Sequence, residues 1–301
     1  MFTDTRRNPW RSTLLMLALA WPGAATAETT AFFRATHLVA PAQNLDTGPG
    51  DRLRTRESGF AAGLGRTALA GGSLDIGLDY RYTRYELDGP DTRDWDLHWL
   101  RVPLTWQRMS GGQGLIAGLE PGVASSSNRF KDPDHYTSED LDVAGRLLAV
   151  HESPRGLKWT AGLVYDRRFG RPRLYPTGGA IVTAANGWTL RLIAPDPEVV
   201  FEPSPRLRWF AALAPAGHRW HAIRETAGRD FDFEARAWRA ATGFELELRN
   251  ELSIRLFAGR EFGRRYRLVD DAGSALNVEA GDATFAGLSV AVPAFADRLA
   301  P

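Results

Sequence analysis

The sequence predicts an all-β fold: an antiparallel transmembrane β-barrel of the outer-membrane kind, with about twelve strands and at most about fourteen. Three observations predict it. The N-terminus has the composition of a secretory leader. Polar and apolar residues alternate with a period of two, often over about ten residues, the length of a tilted membrane-crossing strand. Connections alternate between short, glycine-marked turns and longer polar loops.

The leader comes first. Arg6, Arg7 and Arg11 precede an apolar run from Leu14 to Trp21, and Ala25-Thr26-Ala27 supplies the small-x-small pattern of a cleavage site. Residues 1–27 therefore read as a signal peptide cut before Glu28, and the apolar run is too short for a permanent membrane helix. The remainder, about 274 residues, is enough for one large domain. Removing three arginines and one aspartate from a total of +1 leaves a net charge of about −1, which gives no basis for binding nucleic acid. With no cysteine, disulfides, thiolate chemistry and cysteine metal sites are excluded. Residues 28–57 read as a polar extension, periplasmic or luminal. The barrel is expected over 58–295, with 296–301 as a tail.

The strands follow in order. In SLDIGLDYRYTRY, Leu74, Ile76, Leu78, Tyr80 and Tyr82 share one face, with Asp75, Asp79 and Arg81 on the other. Leu97–Gln107 sets His98, Leu100, Val102, Leu104 and Trp106 against Arg101, Thr105 and Gln107. Leu141, Val143 and Leu147 alternate with Asp142 and Arg146; Trp159, Leu163 and Tyr165 alternate with Lys158 and Thr160. Further on, Phe231, Phe233 and Ala235 alternate with Glu234 and Arg236, Phe244, Leu246 and Leu248 with Glu245 and Glu247, and Leu252, Ile254 and Leu256 with Arg255. Tyr80, Tyr82, Tyr85, Trp95, Trp99 and Trp106 fall near strand ends, as interfacial girdles require. Between Gly178 and Phe201, Gly178-Gly179 opens a strand, Asn186-Gly187 fits a type I′ turn, and Pro195-Asp196-Pro197 ends the return strand. No helix or lysine follows the double glycine, so it is no phosphate loop.

The stretch YPTGGAIVTAANGWTLRLIAPDP, the later HRWHA and LFAGREFGRRYRL together resemble a bacterial outer-membrane β-barrel family known as a domain of unknown function, over roughly Gly59 to Val292. The matching marks are Tyr175, Pro176, Gly179, Trp188, Pro195, Pro197, Trp220, Gly259, Arg265 and Tyr266. The resemblance implies a membrane barrel and supplies no catalytic residues or substrate. One departure is that Phe295, the candidate for a terminal assembly aromatic, stands six residues before the end.

If the polar face of every strand is the lumen, Asp75, Asp79, Arg81, Arg101, Asp142, Arg146, Lys158, Glu234, Arg236 and Arg255 line it. That mixture of signs suits a narrow porin-like channel for small polar solutes, or a closed structural or surface-interaction barrel. A third reading, a lipid hydrolase, needs Asp142 to orient His151 toward Ser153. No metal or cofactor is expected: the histidines are scattered, and His218 and His221, three apart in a strand, face opposite ways. The acidic loop from Asn128 to Asp140 lacks a calcium-loop register. A bacterial outer-membrane location implies contact with membrane lipid, lipopolysaccharide and the outer-membrane assembly machinery.

Overall fold

The computed structural model describes residues 32–46, 50–88, 93–153, 156–224, 229–248, 252–270 and 272–292. The expected leader, the tail, Phe295 and the turn residues Pro154 and Asn250 lie outside them. Seventeen ladder segments form one sheet, antiparallel in every ladder but a single bridge, that closes where β1 (Phe33–Asn44) pairs with β17 (Ala283–Val292). Three strands are interrupted: β4 (Arg93–Arg101) and β5 (Leu104–Ser110) both pair with β3 (Gly72–Asp88), β12 (Leu207–Pro215) and β13 (His218–Arg224) with β14 (Arg229–Glu247), and β16 (Ala275–Ala280) and β17 with β15 (Ser253–Asp270). The result is a closed barrel of 14 strands. Among the described residues no helix is long and apolar enough to cross a membrane.

Two sequence expectations change. The first strand begins at Phe33, so residues 33–44 and 52–57 are barrel wall and not an extension. Its sequence hid it because each face mixes polarity: Arg34 and Thr36 share a face with buried Leu38 and Ala40. The Asn186-Gly187 turn has positive φ only at Gly187, and Ala184 bonds Trp188, so the hairpin is a three-residue loop closed by a left-handed glycine. Both central residues have positive φ at Ala70-Gly71 and Gly111-Gly112, the two-residue connections at which the primed turn is used.

Short turns cluster at the end that holds Phe33 and Val292, the periplasmic end of an outer-membrane barrel. Around the wall, large apolar side chains face outward: Leu147, Leu163, Leu192 and Phe244, with Leu174 at 67% exposure and Leu256 at 61%. Water does not tolerate such a continuous apolar exterior; lipid does.

Strand lengths divide the barrel into two tiers. β8 (Leu157–Asp166) has 10 residues, β14 has 19 and β15 has 18. At about 3.3 Å per residue and a tilt of about 40°, the first rises about 25 Å, the apolar band of a membrane, and β14 about twice that. β7 (Leu141–Glu152) through β11 (Glu198–Ser204) end at the shoulder. Above it β13 swings across to β6 (Gln113–Ser126), pairing His221 with Ser125 in parallel, while Ile223 N–H donates to Ser126 Oγ (3.3 Å). The narrower upper ring of β1, β2 (Arg52–Leu69), β3, β4, β6 and β13–β16 is filled by Tyr85, Leu97, Trp220, Phe231, Phe233 and Tyr266. A ring of these nine strands is close to the width of about eight that side chains fill.

Polarity inverts between the tiers while β14 keeps its own alternation unbroken, its register on β15 shifting between Arg236 and Trp238. On β14, Phe231, Phe233, Ala235 and Ala237 point inward into this core, and Asp232, Glu234 and Arg236 point out. Past Trp238 the inward set becomes Arg239, Ala241, Gly243 and Glu245, and Phe244 and Leu246 face lipid. On β3 the change falls at Tyr80 and Tyr82: below them Leu74, Ile76 and Leu78 face out, above them Arg84 and Glu86 do. Arg54 and Arg56 on β2 join that outer charged band through Glu86 (both 3.4 Å). Of the expected girdle, Tyr85, Trp95 and Trp99 are therefore interior residues.

Candidate functional site

Below the shoulder the fourteen-strand ring is too wide for side chains to fill, and a chamber of about 490 Å³ lies against β4 and β6 to β12. Its lining runs from Asp166, Arg168 and Asp196 at the outer ends of the short strands to Val150, Lys158 and Ile181 near their periplasmic ends. A second space of about 250 Å³, on the β1–β3 side, is lined by Arg34, Glu57, Asp79, Arg81 and Arg239.

The chamber's ceiling is the underside of the upper core. Arg101 Nε donates to Asp142 Oδ2 (2.6 Å), and its Nη1 donates to Glu120 (3.0 Å). Arg167 Nε lies 3.3 Å from Asp142 Oδ1 and His218 Nε2 lies 3.4 Å from Oδ2. Asp142 is wholly buried, and several favourable partners are what a buried carboxylate requires. The Arg101 guanidinium also sits 4.0 Å above the Trp99 ring, which packs 4.8 Å from His218.

The outer mouth is bridged. Arg168, in the turn between β8 and β9 (Arg173–Thr183), donates to Asp166 (2.7 Å), to both oxygens of Asp196 (2.7 and 2.8 Å) and to Tyr175 Oη (2.7 Å). Gly217 N–H anchors the turn on the Arg168 carbonyl (2.8 Å). Burial alone lowers the Arg168 pKa, but Asp196 and Asp166 outweigh it and raise the value above its usual one, so the bridge stays charged. Further along the wall, Glu198, the first residue of β11, lies between Arg191 (3.6 Å) and Arg255 (3.7 Å), and Arg255 stacks 3.6 Å over Phe210.

The expected polar residues separate into groups. Arg101, Arg146 and Lys158 border the large chamber, and Asp79 and Arg81 the small one. Asp75 forms a two-point pair with Arg66 (2.5 and 3.0 Å). Glu234 and Arg236 do not belong inside: Glu234 pairs with Arg171 (2.8 Å) and Arg267 (3.6 Å) on the outer face, and Arg236 stands exposed beside Arg265. They lie in the upper tier, where the polar face is the exterior. Part of the wall that alternation reads as polar is apolar too: Ile116, Leu148, Val164, Ile181 and Ile193 line the chamber.

The family-pattern positions serve packing. Tyr175 donates to Asp166 (2.7 Å), Trp188 stacks on Phe201 at 4.6 Å, and Trp220 and Tyr266 fill the upper core. Pro176 pairs with Leu163 across β8–β9; Pro195 and Pro197 flank Asp196, and the Pro197 carbonyl accepts Leu213 N–H (3.0 Å). A Cβ on Gly179 would meet Leu192 O at 1.9 Å, and one on Gly259 would meet Ala240 O at 2.0 Å, so both strands need glycine to keep their ladders. Arg265 pairs with Glu279 outside (2.9 Å).

The hydrolase arrangement is overturned. Asp142 and His151 lie at opposite ends of β7, about 30 Å apart along the strand, and His151 pairs with Trp159 on the lipid-facing side while Asp142 points inward. Among the described residues no cluster of His, Asp and Glu could hold a metal ion. The acidic loop is folded by a short helix, α1 (Ser127–Phe130), with Asp140 buried and accepting Thr137 N–H (2.7 Å) and Arg129 Nε (3.1 Å).

No protein-family model matches the chain, and no curated protein does, so the resemblance stands at the level of the barrel. Among solved structures, an outer membrane channel from Pseudomonas putida F1 aligns with 90% of this chain and 99% of its own at 8% identity and a TM-score of 0.45. The deltaS2S3 mutant of the TodX monoaromatic hydrocarbon channel covers 87% and 90% at 11% identity and 0.43, and the β domain of the Bordetella autotransporter BrkA 86% and 98% at 13% and 0.32. At TM-scores below 0.5 these likenesses carry no inference; the closed ladder and the lipid-facing belt do. The chain is a fourteen-stranded β-barrel of the outer membrane.

Proposed function

We propose that the protein is a narrow, solute-selective outer-membrane channel whose path runs down the β7–β12 side, beside the upper core and not through it. One observation carries this reading: a single chamber is lined from the Arg168–Asp196 bridge at the outer mouth to Lys158 near the periplasmic turns. A purely structural barrel has no need of a space along the full height of its short strands. The ion pairs Arg101–Glu120, Arg168–Asp166 and Arg191–Glu198 cancel most of the lining charge, while Arg146 and Lys158 leave it mildly positive. Planar-bilayer recording of the purified barrel tests this. The expected result is a small current with weak anion preference that moves toward cations in Arg146→Ala and Lys158→Ala. A silent bilayer across voltage and salt would favour the structural barrel.

A further inference from the structure

Resting on that channel reading, we propose that the chamber binds a small organic anion with an apolar body, a carboxylate on a hydrocarbon or ring skeleton, and that Arg146 holds the anionic group.

The charge inventory singles out Arg146. The other chamber arginines have carboxylate partners: Arg101 has Glu120 and Asp142, Arg168 has Asp166 and Asp196, and Arg191 has Glu198. Among the described residues Arg146 makes no ion pair. Its Nη2 donates to the Thr105 hydroxyl (3.2 Å), and its Nε is buried with no acceptor. A guanidinium offers five donors in a planar fork suited to a carboxylate, and a buried N–H without an acceptor is costly.

Local geometry fixes where that fork lies. Arg146 stands opposite Gly118 across β6–β7 and crosses it to reach Thr105; a Cβ on Gly118 would fall 2.8 Å from Arg146 Cγ and 2.9 Å from Nε. The glycine lets the side chain lie flat along the wall. Around it the wall is apolar. Val164 is its cross-strand partner on β8, and the Ile116–Leu148 pair occupies the next inward row toward the periplasm; all line the chamber. A path for small ions or sugars gains nothing from isoleucine, leucine and valine against its water, whereas an apolar body covering them removes that surface from water. Lys158, nearer the periplasm on the same wall and with no ion pair among the described residues, extends the positive potential along the path.

Calorimetric titration of the refolded, detergent-solubilised barrel with cyclohexanecarboxylate tests the site without requiring conduction. The wild type is expected to bind it, with cyclohexanecarboxamide and acetate each weaker by about tenfold or more. Arg146→Gln should lose about tenfold and Arg146→Lys less, because lysine keeps the charge but not the fork. Equal affinity in Arg146→Gln, or carboxamide binding as well as carboxylate, would overturn the anion site; acetate binding as well as cyclohexanecarboxylate would overturn the apolar half. If Arg146→Gln does not refold, Gly118→Ala, which pushes the same side chain off the wall, is read the same way. Bilayer recordings on the same preparation separate the two readings: binding without current keeps the site and ends the channel, and current without binding does the reverse.

Discussion

One strand carries a test of the two-tier barrel. Phe244 on β14 faces lipid, six residues below the change of polarity at Trp238; Arg236 faces outward above it. An arginine at Phe244 puts a charge deep into the apolar band and should cost about 2–4 kcal/mol. Arg236→Leu, on the same outward face four turns of the pleat higher, should change stability by no more than about 0.5 kcal/mol, since it borders water and head groups. Phe233→Ala acts on the opposite face. Its ring is 3% exposed and has centroids of Tyr85, Trp95, Trp220 and Tyr266 at 5.1, 5.9, 6.0 and 6.0 Å, so its loss should cost about 3–5 kcal/mol. Reversible guanidinium unfolding of the barrel in phospholipid vesicles measures all three. Equal costs for Phe244→Arg and Arg236→Leu would mean that the outer face does not change character at Trp238. A negligible cost for Phe233→Ala would mean that the upper ring holds no packed core.

Two further predictions concern the chamber's boundaries. Asp142→Ala leaves Arg101, Arg167 and His218 facing one another without their shared acceptor and should destabilise the barrel by about 3–5 kcal/mol in the same titration; a loss under about 1 kcal/mol would show the cluster is well hydrated. Arg168→Gln removes the bridge across the outer mouth. The pair is partly exposed and worth at most about 1 kcal/mol, so single-channel recordings should show open probability rising by up to about fivefold; an unchanged value would mean the bridge does not limit the mouth.

Much of the lower tier is legible in the sequence, because there the apolar face of each strand meets lipid and the alternation is clean. Leu141, Val143 and Leu147 against Asp142 and Arg146 could be read correctly from β7 alone. β1 could not: Arg34 and Thr36 lie below the shoulder, and Leu38 and Ala40 pack against Ala283 and Phe285, so one face of one strand changes polarity midway. The fourteen strands stand at the upper end of the twelve to fourteen expected, β1 being one that clean alternation does not mark. The Arg101–Asp142–His218 cluster was illegible in a different way, since its members come from β4, β7 and β13 and meet only because β13 leaves β12's line to reach β6.

Period-two alternation reports that a strand has two faces; it does not report which face is inside. In a water-soluble sheet the apolar face is the core, and in a membrane ring it is the exterior. This chain uses both rules in one strand. Phe231, Phe233 and Ala235 obey the first, Phe244 and Leu246 the second, and the apolar residues pass from odd to even positions between them with no bulge on β14 itself; the bulge at Arg236/Trp238 falls on β15. An aromatic marks each crossing, Trp238 on β14 and Tyr80 and Tyr82 on β3, because an amphipathic ring suits the depth where lipid gives way to water. A parity change of apolar residues beside an interfacial aromatic is thus a sequence signature of a strand leaving the membrane while still part of a packed wall. Applied to Glu234 and Arg236, it moves them from lumen to exterior, which is where their contacts place them.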